Sequence, residues 1–520
     1  MRIERLWIKE FKNLREFEVD FDKKELVSVL IGWNGTGKSN LLEALVLIFR
    51  NLDLGDDAPF PYRLEYQYRG RQIQIDTGFE NLKAGQIKIK INGEPLSINR
   101  FRNAPNREYL PNFIFGYYSG PSNRLEEHFE KHQEKFYKDL IKGVEKPLRP
   151  LFYARADHSR FVLLAFFVDT ENEMRTFLKD YLFIEGLESI LFVMKEPPWK
   201  SPEGDKRFWN ARGTVKDLLD KLYKISLAPI RLSRRVPVGI REWKTKEFLY
   251  LYVKDIISLQ RLAEDYKTQS DFFKALESTY ISQLIEDVRI RVKVKNVDGS
   301  LTFRELSEGE QQLLTVIGLL RFTREEESLF LLDEPDTHLN PSWSIGYLDL
   351  LEKYAGNIAT SHIIMTTHDP LVMASLSREQ VKIMQRDENT GKIFALMPEE
   401  NPRGMGFAGI LTSDMFGLRS SLDQPTLELL DKKRKLAIKD ILSEEEKKEL
   451  SKLNEELDKL GFSKTMRDPL YEDFVDAMTK QNQPGYSASQ VTISPEERQR
   501  RKEIAQDIIK KLLESKKKEI

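Results

Sequence analysis

The 520-residue sequence contains no cysteine. That excludes a disulfide framework and any cysteine-ligated zinc or iron–sulfur centre, and it suits a reducing compartment. Net charge is almost absent as well, since 82 Lys and Arg against 83 Asp and Glu leave −1. Contact with nucleic acid would need a local basic patch, because the chain as a whole is not basic. Long apolar runs are missing, and "FVLLAFFV" at 161–168 is far too short to cross a bilayer. The opening "MRIERLWIKEFKNL" alternates like a first strand and has no signal-peptide core. A soluble, cytoplasmic protein with no membrane partner is expected. Internal repeats are absent, and so is the sustained heptad pattern that long coiled-coil arms require.

What is present is a charge-rich globular composition, 40% hydrophobic and 32% charged, with length for about two to four domains. "LVSVLI" (26–31) reads as a buried strand and "SNLLEALVLIF" (39–49) as an apolar helix. Short alternating stretches between 60 and 120 predict β-hairpins, with "INGEP" as one turn. A mixed, mostly helical region with proline breaks follows to about 290, then a strand pair at 287–306 turning at "DGS". From 307 to about 385 the pattern is helix–strand–helix–strand–strand. Residues 432–462 are charged and helical with Leu450, Leu453, Leu457 and Leu460 on one stripe, 481–490 reads as a linker, and "SPEERQRRKEI" opens a last helix. The expected division is 1–120, 121–290, 291–420 and 421–520.

Chemistry enters at "IGWNGTGKSN" (31–40), a G-x-x-x-x-G-K-S loop between a buried strand and an apolar helix. Gly32, Asn34, Gly35, Thr36, Gly37 and Asn40 would wrap a nucleotide's phosphates in backbone N–H groups at the helix N-terminus. Lys38 would reach the β- and γ-phosphates, and the Ser39 hydroxyl would coordinate Mg²⁺. Far downstream "SLFLLDEPDTHLNP" (328–341) is an apolar strand ending in Asp333 and Glu334. Asp333 is expected to hold Mg²⁺ through water, and Glu334 to act as general base on the attacking water. "SHIIMTTHDPLVM" (361–373) ends a further strand at His368, expected to sense the γ-phosphate. The three strand ends together predict one ATP site.

A second helix start raises a question of its own. In "FRELSEGEQQLLTVIGLL" (303–320), Ser307 and Glu310 form a capping-box pattern around Gly309, a poor helix former. A glycine there suggests that something anionic approaches the backbone closely. Taken in order, the phosphate loop, LSEGE, a DE strand and a TTH strand, the chain resembles the ABC-class ATPases, closest to their soluble RecF, SMC and OLD-like branch. That resemblance covers residues 1–50 and about 300–385. It implies an α/β ABC-type head with a mixed sheet, a β-rich lobe, a mostly helical insertion and a helical C-terminal tail. It also implies that Ser307, Gly309 and Glu310 of one copy face the γ-phosphate held by another, in a dimer or higher homo-oligomer. His338 and Asn340 would lie in the loop crossing that interface. "IKEFKNL" (8–14) matches the branch's first strand, which points to Lys12 and Asn13 near base and ribose. The nearest stretch to the branch's glutamine loop is "FGYYSGPSNRL" (115–125).

The tail, from "RGMGFAGILTSDMFGLRSSLD" to "RDPLYEDFVDAM", resembles that of stand-alone ATPases of Septu-type and retron-linked anti-phage defence operons. The resemblance implies a slow, regulatory ATPase that gates a separate HNH-type nuclease, with the tail docking partners. The alternative is a RecF-like, DNA-binding ATPase of recombinational repair. A nuclease within the chain is not expected, because the tail lacks the D-x-D of a Toprim domain. Two clusters stay open. His128 and His132 have i, i+4 spacing that fits a metal or a solvated charged helix. Arg231, Arg234, Arg235, Arg241 and Lys244 with Trp243 fit nucleic-acid phosphates or a surface ion-pair region.

Overall fold

The computed structural model describes residues 1–78, 87–144, 149–169, 172–237, 242–295, 300–323, 326–355, 361–439, 441–460 and 495–516. The chain opens with β1 (Arg2–Phe11), β2 (Leu14–Asp20), β3 (Val27–Gly32), α1 (Lys38–Leu54), β4 (Tyr62–Tyr68), β5 (Arg71–Asp76), β6 (Lys88–Ile91), β7 (Glu94–Leu96) and β8 (Phe113–Tyr118). The predicted Asn-Gly hairpin turn lies between β6 and β7, with Asn92 and Gly93 both at positive φ. Next come α2 (Glu130–Ile141), β9 (Leu151–Tyr153), α3 (His158–Phe167), β10 (Ile184–Lys195), α4 (Gly213–Ile225), β11 (Ile230–Pro237), β12 (Trp243–Val253), α5 (Gln269–Ile281), β13 (Ile285–Val294) and β14 (Ser300–Thr302). Then follow α6 (Glu308–Phe322), β15 (Ser328–Asp333), α7 (Pro341–Ala355), β16 (Ser361–Thr366), β17 (Val381–Arg386) and β18 (Ile393–Leu396).

The architecture is α/β. A mixed seven-stranded sheet, ordered β18-β17-β3-β16-β15-β8-β9, forms its centre. Every pairing in it is parallel except β17 with β18. β15 and β16 are buried at every position, as strands covered on both faces must be. Their runs of Leu, Ile and Phe are that requirement written in sequence. An antiparallel six-stranded sheet, β2-β1-β4-β5-β6-β7, supplies the β-rich lobe. Phe17, Tyr62, Leu64, Tyr66 and Ile73 join α1's Leu41, Leu45 and Phe49 in one core with it.

The mostly helical stretch 121–290 also builds something its proline breaks hid. β10, β11, β12 and β13 form a five-stranded antiparallel sheet with β14. α4 presents Val215, Leu218, Leu219 and Leu222 as its buried stripe in this region. The "DGS" turn begins outside the described residues.

By internal contacts the chain divides into two units, Met1–Val372 with Glu379–Met397, and Met373–Arg378 with Pro398–Ile520. The second contains α8 (Gln424–Ala437), α9 (Glu444–Lys459) and α10 (Pro495–Lys516). The charged helix expected at 432–462 is two helices. Ser443 accepts from the Glu446 N–H and Glu446 from the Ser443 N–H, at 3.2 and 2.9 Å, a capping box that restarts the chain. On the leucine stripe Leu453 and Leu457 are buried, Leu450 is half-buried and Leu460 is exposed. The linker at 481–490 and "RDPLYEDFVDAM" lie outside the described residues. Among the described residues no helix is long and apolar enough to cross a membrane.

Candidate functional site

The site lies beyond the C-terminal ends of β3, β15 and β16, three neighbours in the parallel sheet, where open α/β sheets bind ligands. β3 delivers the phosphate loop. Gly32 has φ 141° and a Cβ there would sit 2.2 Å from the Met384 carbonyl oxygen; Gly37 has φ 88° and a Cβ would meet Leu14 at 2.8 Å. Neither position admits a side chain. Gly35, at φ 83°, faces open space. Thr36 ties the loop to itself by donating to the Trp33 carbonyl at 2.8 Å. α1 starts at Gly37 with no side-chain cap and no acid in its first turn. Its N–H groups are left for an anion.

Lys38 is buried, and its ammonium donates to the carbonyls of Gly32 at 2.7 Å and Trp33 at 3.2 Å. Burial brings its pKa down to about 8, against the pull of Glu334 and Asp333. Ser39 donates to Asp333 Oδ1 at 3.0 Å, although 294 residues separate the two. Thr366, at the end of β16, donates to the same oxygen at 2.6 Å and accepts the Glu334 N–H at 3.0 Å. Glu334 is turned out of β15 at φ 53°, a left-handed conformation that a non-glycine residue adopts at a cost. Its carboxylate lies 3.5 Å from His368 Nε2. Burial, then Asp333, pushes the Glu334 carboxyl up, while burial, then Lys38, pushes the His368 imidazole down. An uncharged imidazole thus stands beside a carboxylate of raised basicity, which is what a general base needs.

The oxygen pair Ser39–Asp333 fits Mg²⁺, a hard cation that keeps waters and phosphates as its other ligands. No cluster of three or more His, Cys, Asp or Glu suited to a metal occurs among the described residues, so the protein supplies only part of such a shell. One member of the site was not singled out by the sequence, although its stretch was. Arg124, in the loop after β8 and inside the 115–125 stretch, donates to Asp333 Oδ2 at 2.8 Å and stacks 4.9 Å from the Tyr118 ring centroid. Nothing within a few residues of Arg124 announces this, because its partner lies 209 positions away.

Other expected residues have partners within the chain. Lys12 pairs with the buried Glu43. Burial works against that carboxylate, yet His128 and Lys12 hold it below the usual range. Asn13 donates to the Gly35 carbonyl at 2.8 Å and accepts from Asn40 at 2.6 Å, bracing the phosphate loop. His128 lies 3.4 Å from Glu43, and His132 lies 2.7 Å from Asp53 and is buried. Both carboxylates belong to α1. His132 on α2 and His128 in the turn just before it therefore hold this segment against α1, in place of both the metal reading and the solvated-helix reading.

Ser307 caps α6 in a reciprocal box. Its N–H and hydroxyl donate to the Glu310 carboxylate at 2.6 and 2.8 Å, and its hydroxyl accepts the Glu310 N–H at 3.3 Å. The reason for Gly309 is internal: a Cβ there would lie 2.4 Å from the His338 carbonyl oxygen of the same chain. Room for a foreign phosphate is not needed to explain the glycine. Asn340 accepts the Trp343 N–H at 3.0 Å, capping the start of α7. Arg241 lies outside the described residues.

Two family models match the chain: "AAA ATPase domain" over residues 1–153, and "AAA domain, putative AbiEii toxin, Type IV TA system" over 154–374. The chain is 25% identical over 519 residues to the Septu protein PtuA of Bacillus mycoides (strain KBAB4), covering 95% of this chain and 55% of that one. It is 22% identical over 433 residues to the Retron Ec83 probable ATPase of Escherichia coli, covering 75% and 72%. It is 35% identical over 103 residues to the DNA replication and repair protein RecF of Haemophilus influenzae (strain 86-028NP), covering 18% and 28%. The chain thus spans about half the length of the Septu relative.

Proposed function

We propose that the chain binds and slowly hydrolyses ATP as the regulatory subunit of a bacterial anti-phage defence complex. The carrying observation is convergence: Lys38, Ser39, Asp333, Glu334 and His368 come from three strand ends into one site, with Ser39 and Asp333 3.0 Å apart. The phosphate loop and Lys38 bind and orient the phosphates. Bound Mg²⁺, held by Ser39 and Asp333, supplies charge neutralisation on the phosphates. Glu334 takes the proton of the attacking water, and His368 stands beside it at 3.5 Å to read the γ-phosphate. Thr366 holds both carboxylate-bearing residues in place.

In this reading the second half of the site comes from another copy: its Ser307 and α6 N-terminus cover the nucleotide that Lys38 grips. The dimer so formed gates a separate HNH-type nuclease, and segment 421–520 docks that partner. Likeness to Septu and retron proteins over most of the chain supports defence. The RecF likeness, on 18% of the chain, favours the repair alternative less. The test is ATPase rate per chain across a dilution series that reaches the monomer. The rate should fall with dilution, and Lys38→Ala mixed with Ser307→Arg should regain activity that neither has alone. A constant specific rate down to the monomer would overturn the shared site.

A further inference from the structure

The basic cluster around residue 234 resolves into two kinds of cation. Arg231 is an ion-pair residue, bonded to Glu247 at 2.8 Å. Arg234, which donates to the Tyr250 hydroxyl at 2.9 Å, sits with Arg235, Lys244 and Lys246 on the same two-stranded ribbon at the edge of the five-stranded sheet, β11 paired antiparallel with β12. Residues 230–235 of β11 and 243–245 of β12 are all exposed. Successive side chains of a strand point to opposite faces, so the outer end at 243–245 is open on both faces, while Arg234 and Val236 line a cavity that Asp157, Glu286 and Asp287 also line. Along one face the register sets Arg234 directly opposite Lys246 and Val236 opposite Lys244. Like charges directly opposite each other destabilise a strand pair. Lys246 and, on the other face, Arg235 have no ion-pair partner among the described residues, while Lys244 has only the exposed Glu242 at 3.4 Å. Trp243, 54% exposed, closes the ribbon's outer end.

Charge on an edge strand commonly serves to block edge-to-edge pairing. That explains Arg234 and Arg235 on β11. Lys244 and Lys246 stand beside a free edge too, because β12 pairs with β10 only from Phe248 to Val253, so this end of the ribbon projects as two strands alone with cations on both. We infer that the β11–β12 ribbon is a docking surface for the phosphate backbone of duplex DNA. A two-stranded ribbon fits the roughly 12 Å major groove of B-form DNA, whereas the major groove of duplex RNA is too narrow and deep to read. The ribbon's eight residues at about 3.4 Å each reach about 27 Å. Arg234, Lys244 and Lys246 then answer phosphates instead of repelling one another. The surface is distinct from the nucleotide site, and its DNA contact does not depend on ATP hydrolysis.

The test is fluorescence anisotropy of a labelled 20-base-pair duplex titrated with the full chain between about 50 and 200 mM salt. Binding should weaken steeply with salt. The triple change Arg234→Ser, Lys244→Ser and Lys246→Ser should weaken it at least about tenfold and flatten the log–log salt slope by about 2 to 3, near 0.9 per lost phosphate contact. ATP binding should be unchanged. The charge-conserving pair Arg234→Lys and Lys246→Arg should keep most of the affinity, which separates charge from folding. No binding to the duplex, equal affinity and slope in the triple variant, or binding only to duplex RNA or to an acidic polypeptide such as polyglutamate would each overturn the proposal.

Discussion

Arg124 and Asp333 form a charge-assisted hydrogen bond of 2.8 Å, and Asp333 is the carboxylate that Ser39 and Thr366 also address. Its side chain is 2% exposed, whereas Arg124 remains 38% exposed. The arginine therefore neutralises a buried charge from a half-open position. It occupies the stretch where the ABC-class resemblance suggests a glutamine loop. On the proposed reading, a guanidinium and Mg²⁺ would compete for Asp333 there.

Removing Arg124 should therefore cost most when no cation can replace it. Loss of one partner of a buried ion pair costs several kcal/mol, and the exposure of Arg124 reduces that to about 1–3 kcal/mol. Arg124→Ala is expected to lower Tm in EDTA and to recover much of the deficit with Mg²⁺ and ATP, which bind the folded chain. Thermal unfolding under both conditions checks this; an equal deficit in both would mean that Arg124 serves packing against Tyr118 alone.

Glu334→Gln keeps the side chain's size and removes its basicity. Hydrolysis should slow by about 10²–10⁴-fold with ATP still bound. Because burial raises the Glu334 carboxyl, the wild-type rate requires a pH above the ordinary glutamate range and should fall as pH drops through it. Single-turnover rates from pH 5 to 8 report that limb, and it should be gone in the variant. A wild-type rate flat across this range would place the base elsewhere.

The parts of the site that were legible in sequence are those that carry their context with them. The phosphate loop, Asp333–Glu334 and His368 each follow a buried β-branched or leucine-rich strand, so motif and element confirm each other within about ten residues. Arg124 also follows a buried strand, β8, within the 115–125 stretch, but nothing marks the residue itself, and its role arises only when β8 and β15 pair. The histidines were half legible: i, i+4 spacing suggests one helix face, but only His132 lies on α2 while His128 sits in the turn before it, and their partners Glu43 and Asp53 lie 85 and 79 residues away. In sequence alone Gly309 suggests room for a ligand, because sequence cannot show that His338 folds back over it. The pair β13–β14 was legible as the strands around "DGS", but the rest of the antiparallel sheet was not, because helices and proline-rich loops separate β10, β11–β12 and β13 along the chain.

Gly309→Ala puts a methyl group against backbone. With the His338 carbonyl oxygen 2.4 Å from the new Cβ, the loop at 336–340 or the start of α6 must shift, an overpacking cost of about 1–3 kcal/mol. A lower Tm and weaker hydrogen-exchange protection at the α6 N-terminus are expected. Ser307→Ala, which removes the cap without overpacking, should cost about 1 kcal/mol. Full stability in Gly309→Ala would restore a ligand-facing reason for the glycine.

Away from the nucleotide site, Glu277 on α5 is fully buried between Arg149, at 2.8 Å, and His158, at 2.7 Å. Burial opposes its charge, but His158 and Arg149 bring its pKa from 4.5 down to about 2. His158 Nδ1 accepts the Arg155 N–H at 2.7 Å, so its Nε2 carries the proton toward Glu277. A carboxyl depressed on folding contributes stability that is fully present above its unfolded value of 4.5 and lost as pH falls toward 2. Glu277→Gln forfeits this and leaves the Arg149 guanidinium, 2% exposed, without its countercharge, at a cost of about 3–5 kcal/mol. Urea unfolding at pH 7 should show the variant much weaker than wild type, and the gap should narrow toward pH 3 as the wild type gives up its own advantage. The double change Glu277→Gln with Arg149→Met, which removes both charges, should recover part of the loss. A single variant as stable as wild type at pH 7 would mean that this buried network stabilises nothing, and that α3 and α5 are held by their apolar contacts alone.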